Sequence, residues 1–179
     1  MTWGYTSVCL EFATWQDISR AVKWLRIKGK RYRVDPTFIA LYGYSNGGNL
    51  GAKAALSGKG KSKVQAAIIV AGSKSLHIPF IHWKAPPFLL VHSHNDLAVN
   101  FRGAMVLAAE LEKFRVPMRT LFYRKGGHTP QKLCPRQFKF VLSKFLDQSV
   151  HGQITFMPGL IDPPTFVDPL GGLQARGIF

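Results

Sequence analysis

A serine that does covalent chemistry needs a tight turn to expose it, a histidine to take its proton and a carboxylate to hold that histidine in the right tautomer. Ser45 stands in Gly43-Tyr44-Ser45-Asn46-Gly47-Gly48. Taken alone, a G-x-S-x-G run is a glycine-rich turn. Here it follows the apolar run Phe38 to Tyr42 and precedes the alanine- and leucine-rich stretch Leu50 to Leu56, which is the strand–turn–helix setting of a nucleophile elbow. In such a turn the flanking positions Gly43 and Gly47 are expected to have no room for a β-carbon. The following helix aims free amides at developing negative charge.

Both partners lie downstream. Asp96 follows the apolar strand Phe88 to Val91 through His92-Ser93-His94-Asn95, and His128 follows Met118 to Tyr123 through Arg124-Lys125-Gly126-Gly127. Each therefore stands just beyond the carboxyl end of a strand, where α/β sheets build their sites. A lone loop aspartate or histidine carries no signal. The order Ser, Asp, His, each beyond a different strand, does.

The remaining elements supply the frame. Residues 3–10 are aromatic and β-favouring and read as a strand; Thr14 and Asp17 then sit at capping-box spacing before a helix with Ile18, Ala21, Val22 and Leu25 on one face, ending near Gly29. Ala66 to Ala71 reads as a buried strand. Ala104, Leu107, Leu111 and Phe114 mark one helix, and Phe138, Val141, Leu142, Phe145 and Leu146 another. Strands alternating with helices predict an α/β fold, a mostly parallel sheet with helices on both faces. From His151 on, prolines and glycines replace the alternation, so the expected organisation is one domain over 1–149 and an irregular tail over 150–179.

The stretch from about Asp17 to Leu146 resembles the C-terminal part of an α/β-hydrolase, close to the esterase, dienelactone-hydrolase-like and prolyl-oligopeptidase-like branches. Gly43 to Gly48 carries most of the resemblance; Asp35-Pro36-Thr37-Phe38-Ile39-Ala40, Ala85 to His92 and Gly126-Gly127-His128 add to it. Ser93 departs from it, standing where relatives usually have glycine. The resemblance implies Ser45, Asp96 and His128 as catalytic triad and the Asn46 amide as one oxyanion donor. It also implies a second donor from a His-Gly-Gly-like loop, which is not found before Ser45. Relatives place three further strands ahead of a segment like Trp3 to Leu10, so the expectation is an N-terminally truncated hydrolase fold with an incomplete sheet edge, through which a homo-oligomer could form.

Tyr44 and Trp83 are taken as substrate-binding. Leu76, Phe80 and Ile81 fit a pocket wall or the core equally. The short segment Ser73 to Pro86 leaves little room for a bulky cap, which suits short acyl chains or an exposed ester. Neither a cofactor nor a metal is called for: His92 and His94 form an H-x-H pair without a third ligand at recognisable spacing, and Cys9 and Cys134 are too few for a disulfide framework.

The charge is unusual. The 179 residues carry 24 Lys and Arg against 9 Asp and Glu, a formal +15, sharpest over Arg26, Lys28, Lys30, Arg31 and Arg33, which suits anionic partners. No zinc spacing, RNP-like stretch or heptad-bearing basic region supports specific nucleic-acid recognition. No window approaches the about 18 apolar residues of a membrane span. As the chain stands it reads as cytoplasmic, or as secreted if a signal peptide has been lost. Three functions remain open: hydrolysis of carboxylic esters through an acyl-enzyme on Ser45, a prolyl-oligopeptidase-type serine peptidase, and a catalytically weak protein binding anionic partners.

Overall fold

The computed structural model describes residues 8–72 and 80–155. Its centre is a four-stranded, wholly parallel sheet in the order β1 (Ala40–Tyr44), β2 (Ala66–Val70), β3 (Phe88–Ser93), β4 (Met118–Tyr123). The helices are α1 (Val8–Lys28), α2 (Asn46–Ser57), α3 (Phe101–Lys113), α4 (Pro130–Leu133) and α5 (Pro135–Val150), with 3-10 turns at Gly29–Tyr32 and Gly60–Ser62.

The two-residue period of the strands sorts their side chains into two cores. On one face Ala67, Ile69, Phe88, Leu90, Met118 and Phe122 pack against Ala52, Ala55 and Leu56 of α2 and Ala104, Leu107, Ala108 and Leu111 of α3, with Val22 bringing in α1. On the other, Ala66, Ile68, Val70, Leu89, Val91, Leu121 and Tyr123 meet Phe145 and the partly buried Phe138, Val141 and Leu142 of α5. Helices on both faces explain why β2 reads Ala-Ala-Ile-Ile-Val with no polar alternation. Each fully buried large side chain contributes about 1.5–3 kcal/mol against the entropy of ordering the chain.

The start of the chain differs from expectation. Val8 to Leu10, read as the end of a strand, belong to α1, and Thr14 lies within that helix rather than capping it; residues 3–7 lie outside the described residues. The physical reason is the absence of any Gly or Pro from Val8 to Lys28. The β-favouring residue types are a weaker signal than the lack of a breaker.

The strand expected over Phe38 to Tyr42 runs two residues later, because Gly43 and Tyr44 continue the pairing with Ile69 and Val70. Ile39 is held as a lead-in, its N–H given to Gln65 Oε1 at 2.9 Å and its carbonyl accepting Gln65 N–H at 2.8 Å. Helix α5 extends three residues before Phe138 and four beyond Leu146, starting on Pro135 at its first turn. The division at residue 149 falls in its last turn. Residues 151–155 are in neither helix nor strand, and 156–179 lie outside the described residues.

Arg26, read as part of a basic surface run, is a structural tie. Its guanidinium donates to the carbonyls of Pro36 and Lys63 and, at 2.9 Å, to Gln65 Oε1, joining the end of α1 to the approaches of β1 and β2. Lys28, Lys30, Arg31 and Arg33 remain exposed.

Candidate active site

Ser45 occupies the turn from β1 into α2 with φ 55° and ψ −126°. A positive φ at a residue with a β-carbon costs on the order of 1–3 kcal/mol and persists only where the surroundings over-determine it. They do. Its N–H donates to the Val70 carbonyl at 2.9 Å, and its own carbonyl accepts from Gly48 N–H at 2.9 Å and Asn49 N–H at 3.2 Å.

The two motif glycines are not equivalent. A β-carbon on Gly43 would lie 2.4 Å from the Gly47 carbonyl oxygen and 2.7 Å from Gly48 Cα, whereas one on Gly47 would meet nothing within 4 Å among the described residues. The expectation that both positions lack room therefore holds for Gly43 and fails for Gly47, whose side-chain direction points away from the strand. The tight approach falls instead at Gly48, where a β-carbon would lie 3.2 Å from Gly72 Cα.

Asp96 is 6% exposed in the loop after β3. Its Oδ1 accepts from the amides of Ala98 at 2.9 Å and Val99 at 3.0 Å, and its Oδ2 lies 2.9 Å from His128 Nδ1. Burial works against its charged form, but the His128 hydrogen bond and the Val99 and Ala98 amides outweigh it and hold the carboxyl below the usual carboxylate range.

His128 completes the line, its Nε2 2.8 Å from Ser45 Oγ. With its Nδ1–H donated to Asp96, the bare Nε2 accepts the serine hydroxyl proton. Gly126 at φ 138° and Gly127 at φ 54° turn the loop back over the sheet. The structure thus brings all three sequence-derived residues into one hydrogen-bonded chain, reaching from the sheet edge at β1 to the loops after β3 and β4.

Tyr44 borders this chain, its ring 5.1 Å from that of His128; burial, then the charge of Asp96, raises its phenol. Asn46 opens α2, so its amide is one that a helix leaves without an intrahelical partner. Trp83 is 71% exposed with Lys84 Nζ 4.6 Å over its ring, and no contact among the described residues brings it to Ser45. Ile81 is core, Phe80 packs against that core, and Leu76 lies outside the described residues.

Two features escaped sequence reasoning. Asn95 Oδ1 accepts the Gly127 N–H at 2.9 Å, latching the histidine loop to the aspartate loop; the only trace in the sequence is an amide side chain beside the acid. Ser93, the departure from the hydrolase pattern, is fully buried with its Oγ where a β-carbon on Gly126 would come within 2.6 Å. Ser93 fits because its neighbour is glycine.

A parallel sheet with helices on both faces and a strained serine turn at its carboxyl edge is the α/β-hydrolase arrangement, and that is the fold of the described residues. The family model BD-FAE matches residues 7–78, the segment that holds α1, β1, the serine turn, α2 and β2. No curated protein matches the sequence.

Solved structures agree on the fold. A truncated form of carbohydrate esterase from gut microbiota superposes with TM-score 0.68 at 20% identity over 76% of this chain and 68% of that one. The acetyl ester-xyloside bifunctional hydrolase of Caldicellulosiruptor lactoaceticus gives 0.68 at 20% over 78% and 66%. The sugar hydrolase YeeB of Lactococcus lactis gives 0.71 at 14% over 83% and 73%. At these identities the likeness is one of fold. The chain spans about two thirds of the length of the first two.

Proposed function

We propose that this protein is a serine hydrolase of carboxylic esters. The observation that carries the reading is the line Asp96 Oδ2, His128, Ser45 Oγ with separations of 2.9 and 2.8 Å, the geometry a general base needs. His128 Nε2 takes the hydroxyl proton as Ser45 Oγ attacks the acyl carbon, and the imidazolium is held by the Asp96 carboxylate. The Asn46 amide donates to the oxyanion. As the tetrahedral centre collapses, the bond to the alcohol oxygen breaks and His128 returns the proton to that oxygen. Water, deprotonated by His128, then attacks the Ser45 ester; collapse frees the acid and reprotonates Ser45.

The substrate class is a short acyl group on a carbohydrate. Neighbours named as a carbohydrate esterase and an acetyl ester-xyloside hydrolase support it. Tyr44 beside His128 gives the leaving group an aromatic edge.

The test is a fluorophosphonate probe on the purified protein, with the adduct located by peptide mass spectrometry and Ser45→Ala and His128→Ala as controls. Labelling of Ser45 that both substitutions abolish is expected, followed by release of acetate from acetylated xylo-oligosaccharide. Folded protein that takes no label overturns the reading. Labelled protein that cleaves prolyl peptides but no ester would replace it with the peptidase.

A further inference from the structure

We propose that His92 is a positioning residue for Asp96, a neutral donor that fixes the carboxylate in the rotamer that meets His128. The proposal rests on the serine hydrolase reading above. His92 is the penultimate residue of β3, and its ring is fully buried. Its Nε2 lies 3.0 Å from the Val99 carbonyl oxygen and 3.2 Å from Asp96 Oδ2. A carbonyl and an ionised carboxylate only accept, so the hydrogen resides on Nε2, donated to Val99 with Asp96 Oδ2 as a second, longer contact.

The other nitrogen settles the charge. Nδ1 is buried and has no hydrogen-bond partner among the described residues, so nothing there receives a second proton. Burial pushes the imidazole down from its usual range, against the opposing pull of the Val99 carbonyl and Asp96. Phe101 of α3 stands edge-on at 5.7 Å, and the ionisable groups whose charge reaches the ring are Asp96 and His128. His92 is thereby a neutral donor, unlike His128, which must gain and lose a proton in each half-reaction.

The arrangement closes a small ring. Val99 offers its N–H to Asp96 Oδ1 and its carbonyl to His92, while His92 reaches Asp96 Oδ2. Every oxygen of the carboxylate is then held by donors from its own loop and strand before His128 arrives. Turning the carboxyl plane would break the bonds to Ala98 and Val99 and the contact with His92 together.

The experiment compares wild type with His92→Phe, which keeps an aromatic ring, somewhat larger, and removes the donor, and His92→Gln, whose amide restores a donor near Nε2. The fluorophosphonate labelling rate of Ser45 is followed against pH. Expected for His92→Phe is a loss of about tenfold, with the acid limb of the profile moved to higher pH, because Oδ2 freed of one donor carries more charge. His92→Gln should recover most of the rate and move the limb back. A Phe variant with the wild-type rate and profile, or a Gln variant no better than Phe, overturns the proposal.

Nitrogen-15 NMR of the wild-type imidazoles decides it without a variant and without activity. His92 is expected as the neutral Nε2–H tautomer at pH 7, and a charged ring or an Nδ1–H tautomer there overturns the assignment. The downfield His128 Nδ1–H signal should shift in His92→Phe and return in His92→Gln even if the protein hydrolyses nothing, which separates failure of this proposal from failure of the reading beneath it.

Discussion

The sharpest prediction sets one motif glycine against the other. In Gly43→Ala the new methyl would sit 2.4 Å from the Gly47 carbonyl oxygen, 2.7 Å from Gly48 Cα and 2.8 Å from the Gly47 carbonyl carbon. All are backbone atoms, so no side-chain rotation relieves the clash. To reach ordinary contact the first turn of α2 must retreat by about 1 Å, and a misplacement of about that size at a reacting group costs on the order of 100-fold. Overpacking of this kind also costs about 1–3 kcal/mol, or several degrees of melting temperature for a chain of this size. Gly47→Ala meets nothing within 4 Å among the described residues and lies inside α2, where alanine is the better helix former by roughly 1 kcal/mol. The assay is the fluorophosphonate labelling rate of Ser45, paired with a melting curve. Gly43→Ala should fall about 100-fold and melt earlier, while Gly47→Ala stays within a few-fold of wild type. Equal damage from the two, or none from Gly43→Ala, would refute the argument that close approach of helix to strand sets the serine turn.

Other outcomes follow from contacts already described. Asn95→Ala removes the acceptor for Gly127 N–H; because that bond is exposed, the melting temperature should hardly move, while Ser45 labelling slows several-fold as the histidine loop loosens. Tyr123→Phe deletes a buried hydroxyl with no partner among the described residues, so chemical denaturation should show equal or greater stability, by up to about 1 kcal/mol. Arg26→Ala cuts three hydrogen bonds between α1 and the approaches of β1 and β2, and the denaturation midpoint should report a loss of about 2–4 kcal/mol. Acid should weaken the fold before carboxylates titrate. The folded pKa of His92 is depressed, so its contribution is whole above the unfolded value of about 6.5 and is lost as pH falls below it. Denaturant midpoints between pH 7 and 5 should therefore drop in wild type and flatten in His92→Gln.

Much of the frame was legible because its signals are local. The unbroken apolar run of β2, the run Phe88 to Val91 of β3 and the helical spacing of Leu107 and Leu111 need no partner to be read, and Ser45, Asp96 and His128 were legible from strand ends and chain order. The start of α1 was not, since aromatic and β-branched types argue for a strand while the lack of any breaker decides for a helix. Gly43 and Gly47 carry the same letter in one motif, and only the path of α2 distinguishes them. Asn95 and His92 were read as loop residue and half of an H-x-H pair. Their roles depend on which atom faces which within a folded loop, something residue type does not encode.

The line from Ser45 to His128 has a kinetic meaning as well. The partners stand 83 residues apart, one in the turn after β1 and the other in the loop after β4, the two outer strands among the described residues. With about 4.8 Å between neighbouring strands, their bond forms only once β2 and β3 are stacked between them and the Gly126-Gly127 loop has arched back. Helical turns close in microseconds or less, while contacts of such sequence separation wait for the loop entropy between them to be overcome. Reactivity at Ser45 will therefore return on refolding later than helical ellipticity does, making the serine a clock for completion of the whole sheet.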